Sequence, residues 1–97
     1  MSEEVRLDVW LWRSRFFKTR SIAASYISSR GVRVTRAGST RKQNKPGARI
    51  VPGDIVSLTL GSHIMELRVI SAGKRRGPAT EARSLYERLD AGNEGDE

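Results

Sequence analysis

Positively charged side chains are concentrated in the first half of the chain, where they can bind anions. Residues 5–49 contain twelve Lys or Arg and a single acid, Asp8, whereas residues 50–97 contain six basic and eight acidic side chains. Because like charges repel one another within a small domain, this crowding indicates a polyanionic partner. The same segment carries aromatic residues, and the combination favours a nucleic acid. These residues are Trp10, Trp12, Phe16, Phe17 and Tyr26.

Side chains that could perform catalysis are sparse. The chain has no Cys, and its one histidine, His63, falls in a predicted hairpin loop. Nucleophilic and metal sites need clustered Cys, His or carboxylate groups, and a phosphate-binding loop needs glycines between a strand and a helix. The sequence shows neither pattern. We therefore expect no enzyme activity, no catalytic residues, no metal and no cofactor.

Length and composition predict one soluble, cytoplasmic domain that is a monomer when free. The 97 residues suffice for a single domain, and 37% of them are hydrophobic. No apolar run reaches the length of a signal-peptide core or a membrane span. The sequence therefore predicts no membrane contact.

The basic segment is predicted to begin with a pair of helices. Apolar residues recur at helical spacing over residues 5–17, and two tryptophans so close together predict that Trp12 lies outside the core. The Thr19 hydroxyl can cap a second helix, and Gly31 follows that helix as a C-cap glycine would. The buried face of the second helix is predicted to contain Ile22, Ala23, Tyr26 and Ile27.

Strand patterns follow the helix pair. Short strands are predicted at residues 32–34 and 50–51, with a basic loop over residues 35–47 between them. Alternating apolar residues at 55–60 and 65–69 predict a hairpin with its turn at 61–63. A final helix is predicted from Pro78 to about residue 89. The fold class expected is α+β, with two N-terminal helices packed on a small, mainly antiparallel sheet and a C-terminal helix.

Short motifs occur in an order that resembles the S4 RNA-binding domain, also called the αL motif. They are Arg6-Leu7-Asp8-x-x-Leu11, Thr19-Arg20-Ser21-x-Ala23, Ile27-x-x-x-Gly31-x-x-Val34, Lys45-Pro46 and Pro52-Gly53-Asp54. Residues 35–44 are longer and more basic than the short Asn-Gly hairpin that is usual in the family. The resemblance covers about residues 5–89, with the S4-type domain expected at 5–72 and a basic connector with the C-terminal helix at 73–89. Composition predicts a disordered lead at residues 1–4 and a disordered acidic tail at 90–97.

Further motifs are similar to those of the heat-shock protein 15 family of ribosome-associated proteins. They are Trp10-Leu11-Trp12 with Arg15-Phe16-x-Lys18-Thr19-Arg20, and Arg75-Arg76-Gly77-Pro78-Ala79-Thr80-Glu81-Ala82 with Leu85-Tyr86-Glu87. The resemblance implies a stress-response protein that binds structured ribosomal RNA without catalysis. Its implied partner is the large ribosomal subunit, particularly one that still holds a nascent chain on tRNA after translation has failed, so peptidyl-tRNA is a further expected contact.

Candidate RNA-binding residues surround the predicted start of the second helix. Free amides and the positive end of the helix dipole favour a phosphate near residues 19–22. The first candidates there are Arg13, Arg15, Lys18, Thr19 and Arg20. Further candidates are Arg6, Arg33, Arg36, Arg41, Lys42, Lys45, Arg49, Lys74, Arg75 and Arg76. Asp8 is expected to pair locally instead of contacting RNA.

A membrane-surface or protein-docking module is the alternative interpretation. In this interpretation an interfacial anchor is formed by Trp10, Trp12, Phe16 and Phe17 with flanking arginines. The basic residues continue to Arg49, well beyond any amphipathic helix. This distribution suits an extended polyanion better than a flat bilayer.

Overall fold

Within residues 3–90, which the structure (a computed structural model) describes, three helices and seven strands form an α+β fold. In chain order the elements are β1 (Val5–Arg6), α1 (Leu7–Arg13), α2 (Arg20–Arg30), β2 (Val32–Arg36), β3 (Ser39–Gln43), β4 (Arg49–Ile50), β5 (Ile55–Leu60), β6 (His63–Val69), α3 (Ala79–Arg83) and β7 (Tyr86–Arg88). The fold class therefore agrees with the prediction. The predicted acidic tail beyond Asp90 and the first two residues of the predicted lead lie outside the described residues.

The main sheet has five antiparallel strands in the order β3-β2-β5-β6-β7, and β1 pairs separately with β4. Val34 lies opposite Val56, and Val56 lies opposite Leu67, so one face of the sheet carries a row of buried apolar side chains. The turn between β5 and β6 is at Gly61 and Ser62. His63, predicted to lie in that turn, is instead the first residue of β6 and is exposed.

The two N-terminal helices cover the apolar face of the sheet. Trp10 is fully buried, and its indole Nε1 donates a hydrogen bond to the Ser71 carbonyl at 3.0 Å, so the polar end of the ring is satisfied inside the core. Ala23 and Ile27 of α2 are also fully buried. Ile22 was predicted to be buried but is 49% exposed, because the packed face is centred on the other two residues.

Helix α1 is shorter than the predicted span of residues 5–17. At its start the backbone of residues 5–6 pairs with β4 instead of continuing the helix. At its end Arg15 adopts a left-handed conformation (φ 68°), while its amide donates to Trp12 O and the Phe16 amide donates to Leu11 O, both at 3.1 Å. These bonds form a Schellman C-cap, in which glycine usually holds the left-handed position. Apolar spacing alone does not reveal such backbone bonds.

Strands β2 and β3 form a hairpin over residues 32–43, although the sequence predicted a loop over residues 35–47. Ala37 and Gly38 hold the two central positions of the turn, both with positive φ (52° and 81°), as the tight type I′ hairpin requires. Four of the five residues of β3 are exposed, because β3 is an edge strand beyond the helices. A strand that is polar on both faces shows no alternation of apolar and polar residues. Hydrophobic periodicity therefore did not predict β3. The segment expected to be longer than the usual short hairpin therefore contains a two-residue turn between β2 and β3.

The C-terminal helix is also shorter than predicted. It ends at Arg83 instead of continuing to about residue 89, and β7 follows. Tyr86 lies opposite Val69, so the backbone that was predicted to be helical extends the open edge of β6. The predicted inward residues Ala82 and Leu85 are buried. Glu3, in the predicted disordered lead, accepts a hydrogen bond from the Ala72 amide at 3.1 Å.

Gly31 ends α2 in a conformation that only glycine adopts readily (φ 79°, ψ 161°). A Cβ atom at this position would also lie 2.5 Å from Cε of Lys42. We expect Gly31→Ala to lower the free energy of unfolding by about 1–3 kcal/mol, measured by urea denaturation. The matched control is Gly47→Ala, where the nearest atom, Cζ of Arg6, would be 3.6 Å away. Equal stabilities of the two variants would contradict this role for Gly31.

Candidate nucleic-acid interface

The starts of the two N-terminal helices are joined by the carboxylate of Asp8, which is only 2% exposed. Arg6 donates from Nε and Nη2 to its two oxygens at 3.1 and 3.0 Å, and Nε of Arg20 lies 3.5 Å from Oδ2. The hydrogen bonds to Asp8 raise the pKa of the Arg6 guanidinium. Since both arginine side chains remain nearly half exposed, at 43% and 49%, each can still reach a ligand.

The N-terminus of α2 has the properties that favour a bound anion. Thr19 caps it as predicted, and its Oγ1 accepts a hydrogen bond from the Ile22 amide at 3.0 Å. No acidic side chain occupies the first turn. Lys18 and Arg20 flank the cap and are exposed. The positive end of the helix dipole is therefore flanked by cations.

The turn that contains Lys45 lies against the start of α1. Pro46 O accepts from the Asp8 amide at 3.1 Å, and Ala48 O accepts from the Leu7 amide at 2.8 Å, so these carbonyls take amides that have no acceptor within α1. Lys45 is exposed at the edge of this turn. We call the resulting surface the N-terminal basic surface; its members are Arg6, Lys18, Thr19, Arg20 and Lys45.

Arg13 and Arg76 hold the segment after β6 against α1. Arg13 donates from Nη1 to Gly73 O at 2.8 Å, although no partner for its buried Nε is found within residues 3–90. Arg76 donates from Nε to Trp12 O at 3.1 Å and contacts Phe17 O through Nη2 at 3.5 Å. Both side chains are half-buried, and both use their donors on backbone carbonyls of the fold.

Arg15 combines a strained backbone with an exposed side chain. Its positive φ of 68° costs on the order of 1 kcal/mol or more for a residue with a Cβ atom. Its Nε donates to Gly77 O at 2.7 Å, which links the turn after α1 to the segment before α3. The residue is exposed, so the structure anchors one nitrogen of the guanidinium at the surface.

A second buried carboxylate, Asp54 at 1% exposure, fixes the end of the hairpin. Arg36 donates from Nε and Nη2 to its two oxygens, both at 2.8 Å, and this bonding raises the pKa of the guanidinium. The Val51 amide donates to Oδ2 of the same carboxylate at 2.9 Å. Nearby, Nη1 of Arg49 lies 3.6 Å from Oε1 of Glu4 in an exposed pair. Arg36 is therefore held by the fold, whereas the pair of Arg49 adds little stability.

The remaining candidates differ in whether an acid neutralises them. Arg75 pairs with Glu81 at 2.7 Å, and the hydrogen bonds from Arg75 lower the pKa of the Glu81 carboxyl. Among the candidate residues, the cations that have neither an acid nor a hydrogen-bond acceptor within the described part of the chain are Lys18, Arg33, Arg41, Lys42, Lys45 and Lys74. The structure thus brings unneutralised charge to the start of α2 and to the hairpin.

Arg30 is a further cation that was not predicted from the sequence to bind RNA. It lies in the last turn of α2, and its Cζ is 5.8 Å from the ring centre of Tyr26, a cation–π contact. Its charge within the basic segment was the only available sequence signal. The contact with Tyr26 joins residues one helical turn apart and orients the guanidinium.

Other kinds of site find little support in this part of the chain. Among residues 3–90, no three His, Cys, Asp or Glu side chains are grouped so that they could hold a metal ion. None of the helices in the same range is long and apolar enough to cross a membrane.

Comparisons with known proteins point to one family. The S4 domain family matches residues 5–34. The chain is 38% identical over 88 residues to the heat shock protein 15 homolog of Aeromonas salmonicida, covering 91% of this chain and 63% of that protein. It is 37% identical over 84 residues to heat shock protein 15 of Escherichia coli (strain K12), covering 87% and 59%. The chain thus spans about three fifths of the length of these relatives.

The fold is also similar to that of a solved structure. Heat shock protein 15 of Vibrio cholerae, described as trimeric, superimposes with a TM-score of 0.78 at 30% sequence identity. The match covers 96% of this chain and 89% of that one. The similarity therefore extends well beyond the residues that match the S4 domain.

A comparison of Arg76 with Lys74 tests whether the hydrogen bonds of Arg76 stabilise the fold. Arg76→Gln removes donors from two backbone carbonyls, so we expect the free energy of unfolding to fall by about 1–2 kcal/mol. Lys74→Gln, two residues away and exposed, should leave it within about 0.5 kcal/mol. Chemical denaturation of both variants measures the difference. Equal stabilities would show that Arg76 does not hold the segment in place.

Proposed function

The chain belongs to the heat shock protein 15 family, and on that premise we propose that it binds structured RNA through its N-terminal basic surface. One observation carries the proposal. The S4 match over residues 5–34 includes the start of α2, where Lys18 and Arg20 flank the Thr19 cap. Asp8 is the one acid among the matched residues. The exposed cations of the hairpin supply further contacts.

The physical chemistry of RNA supports this choice of surface. Base edges in an A-form helix lie in a deep, narrow groove, so proteins contact phosphates, sugars and unstacked bases instead. Arginine binds phosphate oxygens through two parallel N–H groups. Asp8 holds Arg6 and Arg20 in place before any ligand arrives, so binding immobilises fewer side chains. One carboxylate cannot neutralise two guanidinium groups, and the surface stays positive.

The RNA we propose is that of the large ribosomal subunit, in the state that still holds a nascent chain on tRNA after translation has failed. The motifs shared with the heat shock protein 15 family support this partner, and contact with peptidyl-tRNA belongs to the same proposal. The protein would act in the cytoplasm under stress, by recognition without catalysis. Its monomeric state when free remains a prediction, which analytical ultracentrifugation tests directly.

The membrane-surface alternative is less well supported by the packing of the aromatic residues. An interfacial anchor needs its large apolar side chains at the surface. Trp10 is fully buried and Phe17 is 7% exposed, so neither ring is available to lipid. Trp12 and Phe16 are half-buried. The exposed cations Lys18, Arg20 and Lys45, in contrast, are available to a polyanion.

Sedimentation with ribosomes tests the proposed partner. At low salt we expect the tagged protein to migrate with free large subunits on a sucrose gradient, and high salt should release it because the contacts are ionic. Lys18→Glu, which reverses a charge beside the α2 N-terminus, should reduce the bound fraction several-fold. Arg83→Glu makes the same charge change on α3, which lies outside the proposed surface.

Two results would contradict the proposal that the protein binds the large ribosomal subunit through its N-terminal basic surface. Wild-type protein that stays at the top of the gradient at low salt would exclude a stable complex with the large subunit. An equal loss of binding in Lys18→Glu and Arg83→Glu would show that net charge, and not the N-terminal basic surface, determines the association.

A further inference from the structure

A groove of about 330 Å³ lies at the other end of α2, between the C-terminal turn of the helix and the polar face of the sheet. Its lining combines three cations with exposed apolar surface. The residues that matter are Tyr26, Arg30, Arg33, Lys42 and Ile64. Helix α2 has eleven residues, so about 16 Å separates this groove from the Thr19 cap.

Two of the cations face each other across neighbouring strands. Arg33 lies directly opposite Lys42 in the antiparallel pairing of β2 with β3. Like charges in this position destabilise a sheet. Neither side chain has an ion pair within residues 3–90, and Glu66 lies two strands away from Arg33, opposite Ser57. The fold therefore leaves a repulsion that a bound anion would relieve.

The groove is held in shape before any ligand binds. The Tyr26 hydroxyl donates to Thr59 O at 2.5 Å and accepts from the Thr59 amide at 2.9 Å, which fixes the ring against the sheet. Arg30 lies over that ring. The Lys42 side chain crosses Gly31, since a Cβ atom there would be 2.5 Å from its Cε. The cations thus reach the groove from both the helix and the hairpin.

Apolar surface borders the same cations. Ile64 is 68% exposed, the largest value among the exposed large apolar residues of the described chain. A phosphate alone would gain nothing from an isoleucine, whereas a nucleotide has an apolar base face as well as a phosphate. Unpaired RNA presents both groups together, because its bases are unstacked.

We propose that this groove holds an unpaired nucleotide of RNA, with its phosphate among Arg30, Arg33 and Lys42 and its base against Ile64. The inference rests on the proposed function, and it goes further by assigning a second contact. The groove and the N-terminal basic surface lie at opposite ends of α2. They therefore bind different segments of the same RNA.

Binding to two probes at several salt concentrations tests the groove. The probes are a short unstructured RNA strand and a blunt RNA duplex of the same length, followed by fluorescence anisotropy. Arg33→Gln should weaken single-strand binding several-fold and reduce the slope of log affinity against log salt by about 0.7, the value for one phosphate. Ile64→Thr should weaken it without changing the slope. Both losses should be larger on the single strand than on the duplex.

Controls separate the groove from general effects. Arg83→Gln removes one charge outside the groove and should change neither affinity nor slope. Arg33→Gln should not lower the unfolding temperature, since it relieves the repulsion with Lys42. Wild-type protein that binds neither probe would overturn the proposed function. Wild-type protein that binds both, with Arg33→Gln and Ile64→Thr binding the single strand equally well, would overturn the groove alone.

Discussion

Two buried carboxylates hold together a chain that carries a net charge of +7. Asp8 joins β1 to the start of α2 through Arg6 and Arg20, and Asp54 fixes the end of the hairpin through Arg36. Each carboxylate accepts more than one donor, so its burial is compensated by hydrogen bonds. The positions of the neighbouring cations are therefore set by the fold, and the proposed RNA interface depends on these fixed positions.

Not all of the positive charge is available to a ligand. Arg13 and Arg76 donate to backbone carbonyls and so hold the segment after β6 against α1. The acceptors of Arg13 lie between β6 and α3, whereas those of Arg76 lie in the last turn of α1 and the segment that follows it. A count of basic residues therefore overestimates the number of cations that are available to bind RNA. Among the unneutralised candidates, Lys18 lies at the start of α2, and the hairpin carries Arg33, Arg41 and Lys42.

Features set by local bonding could be predicted from the sequence, whereas those set by tertiary contacts could not. The Thr19 cap and the positive φ of Gly31 follow from single residues and were predicted correctly. Strand β3 lacks an apolar face, and β7 forms because the edge of β6 is open, so periodicity gave no sign of either. For the interface, the basic segment and the local pairing of Asp8 could be predicted from the sequence. It could not show that Arg76 is engaged by carbonyls more than fifty residues away.

The most direct test is the affinity of the protein for a structured ribosomal RNA fragment as a function of salt. If fixed cations neutralise about five phosphates, log affinity should fall with log salt with a slope of several units, since each phosphate contributes about −0.9 in duplex DNA and somewhat less in RNA. An affinity that barely changes between low and moderate salt would contradict recognition of the RNA backbone by this basic surface.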